Sequence, residues 1–190
     1  MSSITYQGYT EQQIIAGCAA GERKFQQGLY NMLSGKMFSV CMRYASEYNA
    51  AQDLLQEGFV KVFKNIEKFR GEGSFEGWVR RIFVNTAIEH YRKQVNMYAL
   101  HDSEVNYYEN YETNALECLK HEDILKMIQK LSDGNRTVFN LYIIEGYSHK
   151  EIVDMLGISE GTSKSQLARA RYLLQKMIMQ NGEVAKHSAQ

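Results

Sequence analysis

The last third of the chain carries side chains whose chemistry suits the reading of DNA. Arginine pairs with guanine, glutamine with adenine, and serine or threonine with either base, while basic side chains hold phosphates. Such residues recur at helical spacing opposite an apolar stripe formed by Leu167, Ala170, Leu174 and Met177. The outward residues are Thr162, Ser165, Gln166 and Arg169, with Lys164 and Arg171 on the flank. This pattern favours DNA binding over an ordinary solvated surface helix.

Two helices joined by a tight turn must position this face. Ser148 and Glu151 have the spacing of a capping box, which predicts a short helix that stops at Gly157. Ser159 can then cap a long final helix that runs to about residue 179. A connection of only four residues, 156–159, is typical of a helix-turn-helix, whose second helix enters the major groove.

The amino-terminal half is also predicted to be helical. Thr10 and Gln13 form a capping box, and Ser74 can cap a later helix after a glycine-rich turn. Apolar residues recur between these signals at the spacing of one helix face. The predicted helices cover residues 11–19, 22–45, 50–66 (capped by Asn49) and 75 to about 95. Gly28 and Gly35 weaken the second helix and can divide it in two.

Composition and charge narrow the class of protein. The 190 residues include 22 Lys+Arg and 22 Asp+Glu, and the absence of proline suits long helices. A net charge of zero excludes a uniformly basic nucleic-acid coat and a polybasic membrane binder. The charges are nevertheless distributed unevenly along the chain. Basic residues outnumber acidic ones between 61 and 93 and in the second helix of the helix-turn-helix, whereas acidic residues outnumber basic ones between 102 and 123. Such a chain is expected to bind duplex DNA weakly by itself.

The chain organisation predicts an all-α fold of two small helical domains joined by a flexible linker. Residues 97–115 lack a helical period and mix tyrosines with acidic residues, which is typical of a linker. Helices are predicted again at 116–131 and 135–145, before the helix-turn-helix. The predicted segments are a first domain at 10–96, the linker at 97–115, a second domain at 116–180 and a tail at 181–190.

Cysteine and histidine placement gives little support to a metal site or an enzyme. Cys18, Cys41 and Cys118 form no C-x-x-C pair, which fits a reducing compartment. Cys118 and His121 could share a metal, but no second pair at zinc-site spacing accompanies them. The sequence lacks the nucleotide-binding P-loop motif G-x-x-x-x-G-K-[ST] and the metalloprotease motif H-E-x-x-H. We expect a cytoplasmic protein without a metal, a cofactor, a small-molecule substrate or a catalytic residue, since no leader or membrane-spanning stretch is evident either.

Two ordered sets of motifs carry a family resemblance. Residues 53–63 (DLLQEGFVKVF), 69–71 (FRG) and 75–85 (FEGWVRRIFVN) resemble the core-binding and promoter-opening domain of bacterial RNA polymerase sigma factors. Residues 136–152 and 161–167 (GTSKSQL) are similar to the carboxyl-terminal helix-turn-helix domain of the same family. A short linker with no third domain is the layout of the extracytoplasmic-function group. The resemblance covers residues 10–179.

The resemblance implies three contact surfaces. One would dock on the clamp helices of the polymerase largest subunit through Asp53, Gln56, Glu57 and Lys61. A second would read the minus-35 promoter element as duplex through Thr162, Ser163, Lys164, Ser165, Gln166, Arg169 and Arg171. A third would capture the melted minus-10 strand and a flipped base through Phe69, Arg80, Arg81, Ile82, Phe83, Asn85 and Arg92, because aromatic walls replace lost stacking and cations hold the backbone.

Some residues depart from the family pattern. Phe83 stands where a small residue is usual, Gln166 replaces a common basic residue, and Gly58 weakens the docking helix. Trp78 is expected to be a core residue rather than a stacking platform.

The resemblance also implies an anti-sigma factor, often membrane-anchored in the family, as a partner beside core polymerase and promoter DNA. The alternative is a stand-alone helix-turn-helix regulator whose first domain serves dimerisation or effector binding. Such a regulator would bind duplex DNA tightly without polymerase.

Overall fold

The structure is a computed structural model that describes residues 8–100 and 121–187, and its regular elements in those ranges are helical. The first group is α1 (Glu11–Ala19), α2 (Arg23–Tyr44), α3 (Tyr48–Asn65), a 3-10 turn (Ile66–Lys68) and α4 (Phe75–Leu100). The second group is α5 (His121–Gln129), α6 (Asp133–Phe139), a π-helical turn (Asn140–Ile144), α7 (His149–Leu156) and α8 (Glu160–His187). The predicted all-α fold is confirmed. The chain forms two compact units that divide at residues 87 and 88.

The first unit is built around α2, against which α1 and α3 both lie. Leu29, Leu33 and Met37 on α2 are at most 2% exposed, and they form the centre of its core. The predicted capping box of α1 is confirmed, because Thr10 N–H donates to Gln13 Oε1 at 2.8 Å and Gln13 N–H donates to Thr10 Oγ1 at 3.3 Å. This cap fixes where the chain enters the core.

Helices α2, α3 and α4 differ from the prediction in their continuity or their boundaries. Helix α2 passes through Gly28 and Gly35 without a break, and its buried stripe from Leu29 to Tyr44 packs in the core that α1 and α3 share with it. Helix α3 begins at Tyr48, before the predicted cap Asn49, and its first turn has no side-chain cap. Helix α4 continues to Leu100, so the first four residues of the predicted linker are helical. Most of that linker, 101–115, lies outside the described residues.

The second unit centres on α8, which contacts α5, α6 and α7. The capping box of α7 is confirmed by the bond from Ser148 N–H to Glu151 Oε2 at 2.8 Å. Gly157 has a φ of +70°, which ends α7 in the left-handed conformation that glycine favours. Ser159 caps α8 by accepting from the Thr162 N–H at 3.0 Å. These caps reproduce the predicted helix-turn-helix, but α8 runs on to His187, so most of the predicted tail is helical.

The segment between α5 and α7 was predicted as one helix over 135–145 and is instead divided. Helix α6 begins at Asp133, and a π-helical turn follows it from Asn140 to Ile144. The Glu145 N–H donates to the Asn140 carbonyl oxygen at 2.9 Å, five residues back. The hydrophobic period does not reveal this widened turn. Val138 and Leu141 are both buried at a three-residue spacing, which an uninterrupted α-helix would also show.

The cysteines of the first unit are expected to resist alkylation. Cys18 and Cys41 are free and buried, and burial raises the pKa of Cys18 to about 11 and that of Cys41 to about 12. Because the thiolate is the nucleophile, iodoacetamide at pH 8 should label both at least about a hundredfold more slowly in the folded protein than in urea. Peptide-level mass spectrometry measures this ratio. Labelling of either residue at the rate of the unfolded chain would contradict the prediction.

Candidate nucleic-acid interface

The outward face of α8 presents four of the side chains predicted to read duplex DNA. Lys164, Ser165, Arg169 and Arg171 are exposed, and Thr162 is half-buried. Lys164 pairs with Glu160 at 2.7 Å, and this hydrogen bond is the largest cause of the lowered pKa of Glu160. The Arg169 guanidinium lies 5.8 Å from the centre of the exposed Tyr172 ring. The first turns of α8 therefore offer cations and hydroxyls to one side of the helix.

Two residues predicted for this face are turned elsewhere. Ser163 is completely buried, and its Oγ lies 2.9 Å from His149 Nδ1, so it is not on the outward face with the other predicted residues. The reason is its register, because Ser163 precedes Leu167 by four residues and Ala170 by seven, which places it on the inward stripe. Gln166 is half-buried, and its Nε2 lies against Gly134, where an added Cβ would come within 2.5 Å. Its amide is therefore turned toward the start of α6.

An aromatic cluster lies at the start of α4. The ring centres of Phe69 and Phe75 are 5.1 Å apart, and those of Phe69 and Trp78 are 5.6 Å apart. Phe75 is buried at 1% exposure, whereas Phe69 and Trp78 are half-buried. Trp78 is therefore only partly the core residue that was expected. Partly open aromatic faces are the surfaces on which unpaired bases can stack.

Helix α4 carries the other residues predicted to hold a single strand. Asn85, Arg81 and Arg92 are exposed, and Arg80 and Ile82 are half-buried. They share the helix with Trp78, so amide, cationic and aromatic groups occur together along one element. Such a set can stack a base, hydrogen-bond its edge and neutralise phosphates.

Phe83 does not belong to this surface. It is 2% exposed, and its ring meets Phe59 edge-to-face at 5.3 Å. An added Cβ at Gly58 would lie 2.2 Å from Phe83 Cε1, so the glycine leaves the room that the ring fills. The ring of Phe83 is therefore part of the core in this structure and not of the exposed surface of α4. Two of the three departures from the family pattern, Phe83 and Gly58, are therefore partners in one contact.

The predicted protein-docking face lies on α3. Asp53 and Gln56 are exposed, while Glu57 and Lys61 are half-exposed and form an ion pair at 2.9 Å. Sequence reasoning missed Val60, which is 50% exposed one turn after Gln56. An apolar residue on an otherwise polar face is the signal that could have identified it.

The described residues contain no cluster of three or more potential metal ligands among His, Cys, Asp and Glu. Cys118 lies outside the described residues, and so does the alternative that pairs it with His121. Within the described ranges, none of the helices combines the length and the hydropathy of a membrane span.

The helices described above define a class of protein: one with a helix-turn-helix in its carboxyl-terminal unit and a second helical unit that precedes it in the sequence. Residues 29–96 match the family described as Sigma-70 region 2, and residues 121–174 match Sigma-70, region 4. The ECF RNA polymerase sigma factor SigW of Bacillus subtilis is 30% identical over 83% of this chain and 91% of its own. The ECF RNA polymerase sigma-E factor of Haemophilus influenzae is 29% identical over 89% and 95%. The chain belongs to the extracytoplasmic-function sigma factors, as the motifs predicted.

A solved structure supports the fold. The sigma factor RpoE in complex with the anti-sigma factor NepR, from Bartonella quintana, has a TM-score of 0.50 and 22% sequence identity. The match covers 83% of this chain and 98% of that one. The all-helical fold is therefore shared with a sigma factor of known structure.

Proposed function

We propose that this chain binds core RNA polymerase in the cytoplasm and makes initiation promoter-specific, without catalysing a reaction itself. The observation that carries the proposal is the exposed face of α8, where Lys164, Ser165 and Arg169 point away from the core on a capped helix-turn-helix. Recognition helices place such side chains in the major groove. The family match supplies the polymerase as partner.

The upstream promoter element would be read as duplex by α8. Arg169 can donate two hydrogen bonds to one guanine, while Ser165 and Thr162 can bond either bases or phosphates. Lys164 and Arg171 lie on the flank, where phosphate contacts fix the register of the helix on DNA. We leave Ser163 out of these proposed contacts, because its buried hydroxyl lies 2.9 Å from His149 Nδ1.

The downstream element would be captured as a single strand along α4. Phe69 and Trp78 supply stacking surfaces, Asn85 supplies an amide for a base edge, and Arg81 and Arg92 supply phosphate contacts. Because Phe83 is buried, we propose the Phe69–Trp78 cluster as the site for the flipped base.

The exposed side of α3 would dock on polymerase. Asp53 and Gln56 offer an acceptor and a donor at the rim, and Val60 adds apolar area that a partner can bury. Because the anti-sigma factor NepR binds the RpoE of the similar structure, we also propose an anti-sigma partner for this chain. A stand-alone regulator is not favoured, since the first unit matches region 2 rather than an effector domain.

Arg169→Ala tests the role of α8. Reconstituted holoenzyme carrying this variant should initiate about tenfold less from a promoter that has both elements, because a bidentate base contact contributes about 1–3 kcal/mol of discrimination. Run-off transcription on a promoter library measures the loss and identifies both elements.

A matched variant and a second template keep this test specific. Lys126→Ala removes an exposed cation from α5, away from the recognition face, and should leave initiation unchanged. On a pre-opened template that lacks the upstream element, Arg169→Ala and the unsubstituted protein should be equal. Failure of the unsubstituted protein to direct specific initiation with any compatible core polymerase would refute the proposed function.

A further inference from the structure

A row of three contacts links α8 to the two elements that precede it. Ser163 on α8 lies 2.9 Å, Oγ to Nδ1, from His149 at the first position of α7. The His149 ring stacks on Tyr142 with centres 4.5 Å apart and planes at 28°. The Arg171 guanidinium, again on α8, lies 5.9 Å from the centre of the Tyr142 ring. The row therefore begins and ends on the same helix, and we name it the α8 bracket.

Local structure places both rings of the bracket firmly. His149 follows the N-cap Ser148, whose backbone N–H and side chain both bond the Glu151 carboxylate. Tyr142 lies in the middle of the π-helical turn, between buried Leu141 and exposed Ile143. The capping box at Ser148 and the π-helical turn thus place the His149 ring over the Tyr142 ring.

The two attachment points on α8 are far enough apart to restrain it. Ser163 and Arg171 are eight residues apart, which corresponds to about 12 Å along a helix. A single contact leaves a helix able to rotate about that point, whereas two contacts separated by two turns resist both rotation and tilt. Each residue step turns a helix by about 100°, so a small rotation redirects the side chains that meet DNA.

The hydroxyl of Ser163 gives the bracket its specific contact. Ser163 is 0% exposed, so water does not reach the hydroxyl in this conformation. A buried hydroxyl is costly without a partner and stabilising with one, which makes the His149 contact dependent on the angle of α8. The neighbouring inward residues Leu167 and Ala170 are apolar and tolerate small rotations better, because apolar contacts are not directional.

We propose that His149 and Tyr142 are positioning residues that set the rotation of the recognition helix on the upstream promoter element. The inference rests on the proposed function of α8. Neither residue needs to contact DNA, and His149 acts through Ser163, which explains why a serine in the predicted DNA-binding set is turned inward.

Four variants separate the hydrogen bond from the ring stack. His149→Phe keeps a ring on Tyr142 but removes the nitrogen, and Ser163→Ala removes the hydroxyl. His149→Asn loses the ring but keeps a polar atom at the place of Nδ1. The fourth variant combines His149→Phe with Ser163→Ala. Each is assembled as full-length protein with core polymerase and assayed on promoters with and without the upstream element.

His149→Phe and Ser163→Ala are each expected to lower upstream-dependent initiation about fivefold, the size expected when one hydrogen bond is lost. The double variant should be no weaker than His149→Phe, because both substitutions remove the same bond. His149→Asn should lie between His149→Phe and the unsubstituted protein, at about a twofold to threefold loss, because it keeps a polar partner for Ser163 but loses the stack on Tyr142. On the pre-opened template without the upstream element, all four should equal it.

Other outcomes overturn the inference. Unchanged upstream-dependent initiation by His149→Phe would refute it, and so would multiplied losses in the double variant. A loss of equal size on the template without the upstream element would indicate a general folding defect instead of positioning. If the unsubstituted protein itself ignores the upstream element, the proposed function of α8 fails first, which is a distinguishable result.

Discussion

Gly58→Ala is expected to destabilise the first unit by about 2 kcal/mol, although alanine favours a helix interior over glycine by about 1 kcal/mol. The added methyl group would meet the Phe83 ring at 2.2 Å, and this ring is only 2% exposed. Overpacking a well-packed core costs about 1–3 kcal/mol, and more when the neighbour cannot move. Urea unfolding followed by the fluorescence of Trp78 measures the effect, because Trp78 is the one tryptophan of the sequence and lies in this unit.

The effect of Gly58→Ala on the free energy of unfolding should change sign when Phe83 is also replaced. Phe83→Ala alone is expected to cost about 3–5 kcal/mol through the cavity it leaves. In that background Gly58→Ala no longer meets the ring, so it should be neutral or stabilising. Gly35→Ala is the matched control, since a Cβ at Gly35 meets no atom within 4 Å and this glycine is likewise inside a helix. Equal effects of Gly58→Ala in both backgrounds would show that Phe83 is not the obstacle.

The Gly58–Phe83 contact also links two proposed surfaces. Gly58 lies on α3 among the docking residues, and Phe83 lies on α4 between the arginines and Asn85. A close ring-to-backbone contact holds the two helices at a short distance. Variants at Phe83 should therefore affect both polymerase binding and strand capture, even though the side chain itself is buried.

Arg136→Met is expected to destabilise the second unit by about 3 kcal/mol. Arg136 is 3% exposed, and its Nη1 donates to the carbonyl oxygens of Gln129 at 3.0 Å and Leu131 at 2.7 Å. Its Nη2 donates to the Asp133 carboxylate. Burial lowers the pKa of Arg136 and Asp133 raises it. Methionine fills similar volume but leaves the carbonyl groups of Gln129, the last residue of α5, and of Leu131 just after it without their donor, at about 1–3 kcal/mol for each unsatisfied group.

Hydrogen exchange of the α6 amides measures the stability of this unit, which contains no tryptophan. Lys126→Met is the control, because it removes an exposed cation from the same region without touching the α5 carbonyl groups. Arg136→Lys should lie between the two, since an ammonium group keeps the charge but lacks the planar fork of donors. Equal exchange rates in Arg136→Met and Lys126→Met would contradict the assigned role.

Local signals in the sequence were sufficient for much of the fold. Both capping boxes, the Ser74 and Ser159 caps and the Gly157 stop act within four residues of themselves, so their residue types predict their structure. The exposed set on α8 followed from its hydrophobic period. The four-residue spacing from Ser163 to Leu167 agrees with its place on the inward stripe. A hydrophobic pattern does not show this, because serine is a small polar residue.

Contacts between distant segments were beyond such signals. Phe83 and Gly58 are each unusual in the sequence, yet only the approach of α4 to α3 shows that one accommodates the other. Gln166 has the chemistry of a base reader, but α6 offers Gly134 as a place for its amide. The Tyr142–His149 stack depends on a π-helical turn, whose backbone bonds have no counterpart in residue period.

The π-helical turn has a consequence for how this family can diverge. A π turn holds one more residue than the α turn it replaces, so the loss of one residue there restores an α turn and leaves the flanking helix in register. Loss of a single codon between Asn140 and Ile144 would therefore remove the widened turn that carries Tyr142 to His149, while the sequence of α7 and α8 stays intact. Promoter preference could drift in this lineage through a change in length, with every base-contacting side chain unchanged.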